Sequence, residues 1–517
     1  MGRRETGMLR KVFFSLLVLI GLPAAAAYQL WPSAWTINAP MPNDVLNWGT
    51  DAAPERTLRE KLHLPDGFQV NRYAVGLGQA RIMRWTSGGD LLISIPRKGE
   101  IALIGRDTKK TGRGGAIRAL LTGLDRPHGI EIHGGYLYVA ETDAILRVPF
   151  DEATGKLTGV VERIITGLPA DGNHWSRTLR MGPDGWMYVS VGSSCNVCIE
   201  KDNRRAAILR FRPDDKVAEI YAEGLRNTVG FDWDARGRMW GVDNGRDLLG
   251  DDLPPEELNL IEQGKFYGWP FRYGNNVPDP DFGQTPDPRV ASAVPPAYGF
   301  PAHMAPLSVK FIHGPVPGLR NDALVTLHGS WNRSQKQGYQ IMSVHWAADG
   351  TITAAPFITG FLQDQNVLGR PVDTTEGPDG AIYVSDDYAG VIYRVSYGAA
   401  TPSPTEPAMP APARATPPVV PVPIAPQPKA EQEPENSGET LPAREVLHGE
   451  ALFDTEGCRS CHGGDRPLAP LKDIVARYNR EDIARLLVTP PAAMPRFSQL
   501  KEDERMAIAA YVLATYE

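Results

Sequence analysis

One device recurs along this chain and limits its possible folds more than any other feature. A Gly, Asp or Asn turn is followed at once by a short, mostly apolar strand. It stands as Gly88-Gly-Asp-Leu-Leu-Ile-Ser94, Gly134-Gly-Tyr-Leu-Tyr-Val-Ala140 and Asp184-Gly-Trp-Met-Tyr-Val-Ser190. It stands again as Arg236-Gly-Arg-Met-Trp-Gly-Val242, Asn321-Asp-Ala-Leu-Val-Thr-Leu327 and Asp379-Gly-Ala-Ile-Tyr-Val-Ser385. Most gaps run 46–58 residues, the length of one four-stranded propeller blade. A second strand often follows, as in Ala144-Ile-Leu-Arg-Val148, Ala207-Ile-Leu-Arg-Phe211 and Val391-Ile-Tyr-Arg-Val395. Six such units predict an all-β six-bladed propeller over residues 60–398; an array of β-sandwiches fits the unit length less well. One gap, near 85 residues, holds a Pro/Gly-rich stretch at 254–314 that reads as a loop.

At 517 residues the chain exceeds one ordinary core. Residues 399–440, with about a dozen prolines, read as a disordered polyproline linker. From residue 441 to 517 the pattern turns helical, with a first helix over 443–453 and an amphipathic one over 502–513. Between these helices Cys458-Arg-Ser-Cys461-His462 has the spacing of a c-type haem attachment site. Cys458 and Cys461 would form the thioethers and His462 the proximal iron ligand. Met494, on a Pro-flanked loop, is the expected sixth ligand; Met506, on the last helix, reads as core. A Met/His pair raises the haem potential, which suits an electron acceptor.

Residues 1–30 begin with a basic flank and continue as an apolar run, the pattern of an export signal. Ala25-Ala-Ala27 offers a cleavage site, but the uncharged stretch reaches Trp31, and Tyr28, Trp31 and Trp35 suit an interfacial belt. Both a signal peptide and a retained inner-membrane anchor therefore stand, with residues 31–59 as a connecting segment. Both place the rest in the periplasm. The net charge of −7 is spread without a basic block, so a nucleic-acid partner is not expected.

In a propeller the loops between strands converge on one face. His174 lies just ahead of a strand and is the side chain best suited to take a proton near neutrality, although a structural histidine is the plainer reading. Arg226 and Asn227 stand at a similar blade entrance, where an arginine would favour an anionic ligand or form a surface salt bridge. Cys195 and Cys198 have the Cys-x-x-Cys spacing, but Ile199 replaces the histidine of a haem site, so a disulfide is the default in an oxidising compartment.

Asn173-His174 with Gly182-Pro-Asp-Gly185, Gly224-Leu-Arg-Asn227 and Asn259-Leu-Ile-Glu-Gln-Gly-Lys-Phe-Tyr-Gly-Trp269 resemble the soluble sugar dehydrogenases that depend on pyrroloquinoline quinone (PQQ). Ser193-Ser-Cys-Asn-Val-Cys198 and Arg204-Arg-Ala-Ala-Ile-Leu-Arg210 resemble their sorbosone and pyranose dehydrogenase relatives more closely still. The resemblance covers residues 60–398. It implies PQQ, Ca²⁺ and, with the tail, haem c as cofactors. It implies His174 as catalytic base, Arg226 beside the quinone oxygens, and Asn227, Arg370, Arg333, Arg126 and His128 as cofactor contacts. It implies Ca²⁺ on the backbone carbonyls of Gly245 and Arg246. The glucose-oxidising members carry an aspartate where this chain has Asn173, which supplies no charge to the imidazole.

The expected activity is oxidation of a sugar or sugar-derived aldehyde, with electrons passing through the chain's own haem to a downstream cytochrome or oxidase. A Ca²⁺-dependent, lactonase-like hydrolase and a non-catalytic docking propeller, each fused to an electron carrier, are the competing functions.

Overall fold

In the computed structural model, the described residues are 36, 38, 52–398, 446, 448, 449, 452, 453, 471, 480–488, 497 and 500–515. The chain divides into two units, Met1–Ile424 and Ala425–Glu517.

Six antiparallel sheets, each built on a path of four strands, form the propeller of the first unit; Lys156–Leu157 adds a fifth strand to the second blade, and two two-stranded ribbons lie outside the blades. Their innermost strands are Met83–Trp85, Ile130–His133, Leu179–Met181, Thr228–Trp233, Pro306–Phe311 and Pro371–Glu376. Each lies beside the next, and the sixth lies beside the first, so the ring is closed. Closure is made by the chain ends. Phe68–Ala74, the first strand in sequence, pairs with Val391–Tyr397 and becomes the outer strand of the sixth blade. This leaves no long edge within the ring.

The six repeated strands are the second strands of the blades: Leu91–Ile95, Tyr136–Ala140, Met187–Val191, Met239–Asp243, Ala323–Leu327 and Ile382–Asp386. Their continuous apolar character has a simple cause: both faces of each blade are covered by its neighbours. In the first blade, Leu91, Ile93 and Ile95 pack toward Tyr383 of the sixth, while Leu92 packs toward Leu137 and Val139 of the second. Each such side chain, fully buried, contributes about 1.5–3 kcal/mol.

The stretch at 254–314 corrects the expectation of a loop. It contains the third and outer strands of the fourth blade, Glu256–Ile261 and Tyr298–Phe300, and the inner strand of the fifth, Pro306–Phe311. The third strand reads poorly because Glu256 and Glu257 are buried carboxylates held by backbone amides, rather than residues of high strand propensity.

In the second unit, helices Arg480–Leu486 and Glu502–Thr515 share a small core with Phe453, Phe497 and Leu500, and Met506 packs against it. Cys458, Cys461, His462 and Met494 lie outside the described residues, as do residues 1–30 and the linker. Among the described residues no helix is long and apolar enough to cross a membrane.

Candidate active site

Charge is arranged in two rings about the propeller axis. At the waist, equivalent positions of five successive inner strands carry Arg84, Glu131, Arg180, Asp232 and Lys310. The signs alternate. Arg180 contacts Asp232 at 2.8 Å and Glu131 at 3.8 Å, Lys310 contacts Asp232 at 3.1 Å, and Arg84 approaches Glu131 at 3.8 Å. Burial would raise the Asp232 carboxyl, but Arg180 and Lys310 bring it down to about 2.

At the mouth the pattern differs. One or two residues ahead of five of the six inner strands stand Arg81, His128, Arg177, Arg226 and Arg370, a predominantly basic rim. Arg81 meets Asp387 at 2.7 Å, and Asp387 also meets His328 at 2.8 Å. Arg177 is fully buried and donates to the His174 and Ser176 carbonyls at 2.9 Å and to that of Pro169. Burial first, then the charge of Arg205, push it down to about 9. Arg370 donates to the His328 and Gly329 carbonyls at 3.3 Å.

His174 and Arg226 enter from neighbouring blades and meet through one residue. Ser193 donates its amide to the Arg226 carbonyl at 2.8 Å. Its own carbonyl lies 2.8 Å, and its Oγ 2.9 Å, from His174 Nδ1. The Ser193 hydroxyl proton is committed to the Cys195 carbonyl at 2.7 Å, so both groups facing Nδ1 are acceptors. Nδ1 therefore carries the proton, and Nε2 keeps its lone pair. Burial, then the Arg226 charge, push this imidazole down to about 3, so it stays neutral with its Nε2 lone pair unprotonated.

Gly192 makes the approach possible. A Cβ there would come within 2.5 Å of Asn227 Oδ1 and 2.6 Å of His174 Cβ. The Arg226 guanidinium is locked by the Asn196 carbonyl at 2.9 Å, Asn196 Oδ1 at 2.9 Å, the Asn244 carbonyl at 3.0 Å and Asp247 at 3.5 Å.

The loop after Met239–Asp243 carries Gly245 and Arg246. The Gly245 amide donates to Glu256 at 2.7 Å, and the Arg246 side chain turns away into Asp279 and Asp281. No hydrogen bond from a described residue reaches either carbonyl oxygen. Burial raises the nearby carboxyls, Asp243 to about 6 and Glu256 and Glu257 to about 8.

The structure thus brings His174, Arg226 and Asn227 together, with His128 and Arg370 on the same rim. Arg333 lies farther out, bonded to the Asp251 carbonyl and to Asp252 at 3.1 Å. Arg126 stands exposed on its loop with a φ of 47°. Sequence reasoning passed over Arg81, His328, Asp387 and Asn196. Their common signal is position: they fall just before an inner strand or just after a second strand, where every blade faces the mouth. Cys195 and Cys198 are joined.

Residues 62–398 match the family described as TrAA12-like, and residues 444–512 match cytochrome c oxidase, cbb3-type, subunit III. An uncharacterised protein of Borreliella burgdorferi is 34% identical over 293 residues, 53% of this chain and 76% of its own length. A pyrroloquinoline quinone-dependent pyranose dehydrogenase of Coprinopsis cinerea is 26% identical over 409 residues, 65% of this chain. The chain spans only 55% of that relative's length. The solved holo form of that enzyme's PQQ domain superposes with a TM-score of 0.55 at 23% identity, covering 65% of this chain and 97% of that one. A family AA12 enzyme of Trichoderma reesei gives 0.58 at 23% identity, covering 65% and 98%. These two likenesses show a shared fold. The chain belongs to the TrAA12-like family and carries a cytochrome c domain at residues 444–512, after the propeller in sequence.

Proposed function

We propose that the chain is a quinohaemoprotein dehydrogenase that oxidises a pyranose or sugar-derived aldehyde at the propeller mouth. One observation carries this reading: a neutral imidazole with a free Nε2 shares a rim with four arginines and a second buried histidine. Such a rim suits a polycarboxylate, and it retains unsatisfied polar atoms. Among the described residues, the Arg81 Nε donor and His128 Nε2 are buried without a hydrogen-bond partner, a costly state. His128 is also held neutral, by burial first and then by Arg81. These residues fit PQQ, with Arg81, His128, Arg226, Asn227 and Arg370 as its holders. The open carbonyls of Gly245 and Arg246 fit a hard cation such as Ca²⁺.

When bound, the quinone supplies a two-electron acceptor whose carbonyl Ca²⁺ polarises. The chain's own residues do the rest. His174 Nε2 takes the hydroxyl proton of the substrate. Arg226, already fixed, presents positive charge where negative charge develops, without reorganising. The basic rim argues against the hydrolase reading, which needs acidic and amide side chains around a central metal.

The cytochrome domain is the proposed first recipient of the electrons, passing them one at a time to a cytochrome or oxidase. The disulfide, the apolar N-terminal run and the haem-attachment motif support a periplasmic location, soluble or anchored by residues 12–30. The test is anaerobic. Purified full-length protein receives PQQ, Ca²⁺ and a panel of pyranoses and aldehydes while the haem absorbance is followed. Haem reduction that requires both PQQ and a sugar supports the reading; a haem that stays oxidised with every substrate overturns it.

A further inference from the structure

Asn196 sits inside the small loop closed by the Cys195–Cys198 bridge. It spends its backbone and both ends of its amide on the neighbouring blade. Its carbonyl accepts from Arg226 Nε at 2.9 Å. Its Oδ1 accepts from Arg226 Nη2 at 2.9 Å and from the Asp247 amide at 2.8 Å, and its Nδ2 donates to the Asp247 carbonyl at 3.1 Å. The same loop reaches His174 from the other side, because the Cys195 carbonyl takes the Ser193 hydroxyl proton at 2.7 Å and so fixes the acceptors around Nδ1. Glu200 closes the far end, accepting from Ser194 N at 2.6 Å and Ser194 Oγ at 2.7 Å.

We infer that Asn196 is a positioning residue for Arg226, and that the Cys195–Cys198 bridge is what keeps Asn196 in place, making the site sensitive to reduction. The inference rests on the dehydrogenase reading for its effect on turnover, but not for its effect on the resting site. A half-exposed asparagine on an open loop would lose its four bonds to chain freedom; the crosslink removes most of that freedom. Reduction is balanced: a dithiol gives up two electrons and two protons, Cys195 and Cys198 become thiols, and the reductant closes its own disulfide.

The full chain is tested as Asn196→Ala, as Asn196→Asp, which keeps an acceptor oxygen, and as the double variant Cys195→Ser with Cys198→Ser. Before loading, the His174 imidazole is followed by carbon-13 NMR of labelled histidine. Asn196→Ala is expected to raise its titration midpoint as the guanidinium drifts away, and Asn196→Asp to raise it too, because the new carboxylate compensates the Arg226 charge that holds the imidazole down. After loading with PQQ and Ca²⁺, Asn196→Ala is expected to lose about ten-fold or more in kcat with a smaller change in KM, and Asn196→Asp to recover most of it. Wild-type protein reduced and desalted before loading should behave like the double variant, which should itself ignore reductant.

An unmoved His174 titration in Asn196→Ala, or full kcat after verified reduction, overturns the inference. A parent without PQQ-dependent turnover overturns the dehydrogenase reading instead, and the resting-site titration still decides the role of Asn196.

Discussion

The two charge rings of the propeller, one on the inner strands and one just ahead of them, behave oppositely. At the waist, positive and negative residues alternate, and each charge finds its partners within the ring. At the mouth, basic residues predominate, Arg177 and Arg370 donate to carbonyl oxygens, and among the described residues buried Arg81 Nε and His128 Nε2 have no hydrogen-bond partner. Self-satisfied charge belongs to folding, since desolvated ions persist only when their neighbours compensate them. An excess of positive charge over the carboxylates Asp247 and Asp387, held rigidly in place, is what an anionic ligand would need. The comparison teaches that burial of charge alone does not mark a site; incomplete satisfaction does.

Breaking the mouth should cost chemistry without costing the fold. His174→Ala is expected to lower kcat by about 10²–10⁴-fold, while thermal melting stays near the parent's; steady-state kinetics beside circular dichroism check this. Breaking the waist should do the reverse. Asp232→Asn strips the carboxylate from Arg180 and Lys310, and loss of one partner of a buried pair costs about 3–5 kcal/mol. Urea unfolding should show that loss, while PQQ affinity per folded molecule stays within about three-fold.

A subtler break tests spacing. Gly192→Ala places a methyl against Asn227 and His174; displacement by about 1 Å can cost about 10²-fold, so kcat should fall far more than stability.

pH sharpens the contrast last. Asp232 is depressed from 3.8 to about 2, so its contribution is present above pH 3.8 and is lost as pH falls through 2. Glu256 and Glu257, raised from 4.5 to about 8, contribute fully below 4.5 and lose that contribution as pH rises through 8. Stability should therefore erode at both ends, read by melting across a pH series. His174, neutral down to about 3, should give kcat/KM no acid limb near 6.5; such a limb would contradict the assigned environment.

How much of this was legible beforehand follows from burial. The second strands announce themselves because neighbours cover both faces, which forces unbroken runs such as Leu91–Ile95. The inner strands stay hidden. Met83–Trp85 and Leu179–Met181 have only three residues, and the central one in each is an arginine facing the channel. His174 and Arg226 drew notice from their places at blade entrances, and the family resemblance gave them roles. Arg81 was passed over, because an isolated Arg looks like ordinary surface until the ring closes and buries it beside Asp387. Arg126 shows the opposite error: two residues from His128, it turns outward while the histidine turns in.

The claim beneath all of this is that the mouth ring is an anion site built for a quinone cofactor. Calorimetric titration of PQQ, with Ca²⁺ present, into the parent, an Arg226→Ala and Arg370→Ala pair, and Asp232→Asn measures it directly. The account predicts one equivalent bound by the parent and by Asp232→Asn, and affinity reduced by about 10²-fold or more in the mouth variant. Equal affinity in all three proteins, or no binding to any, would contradict it.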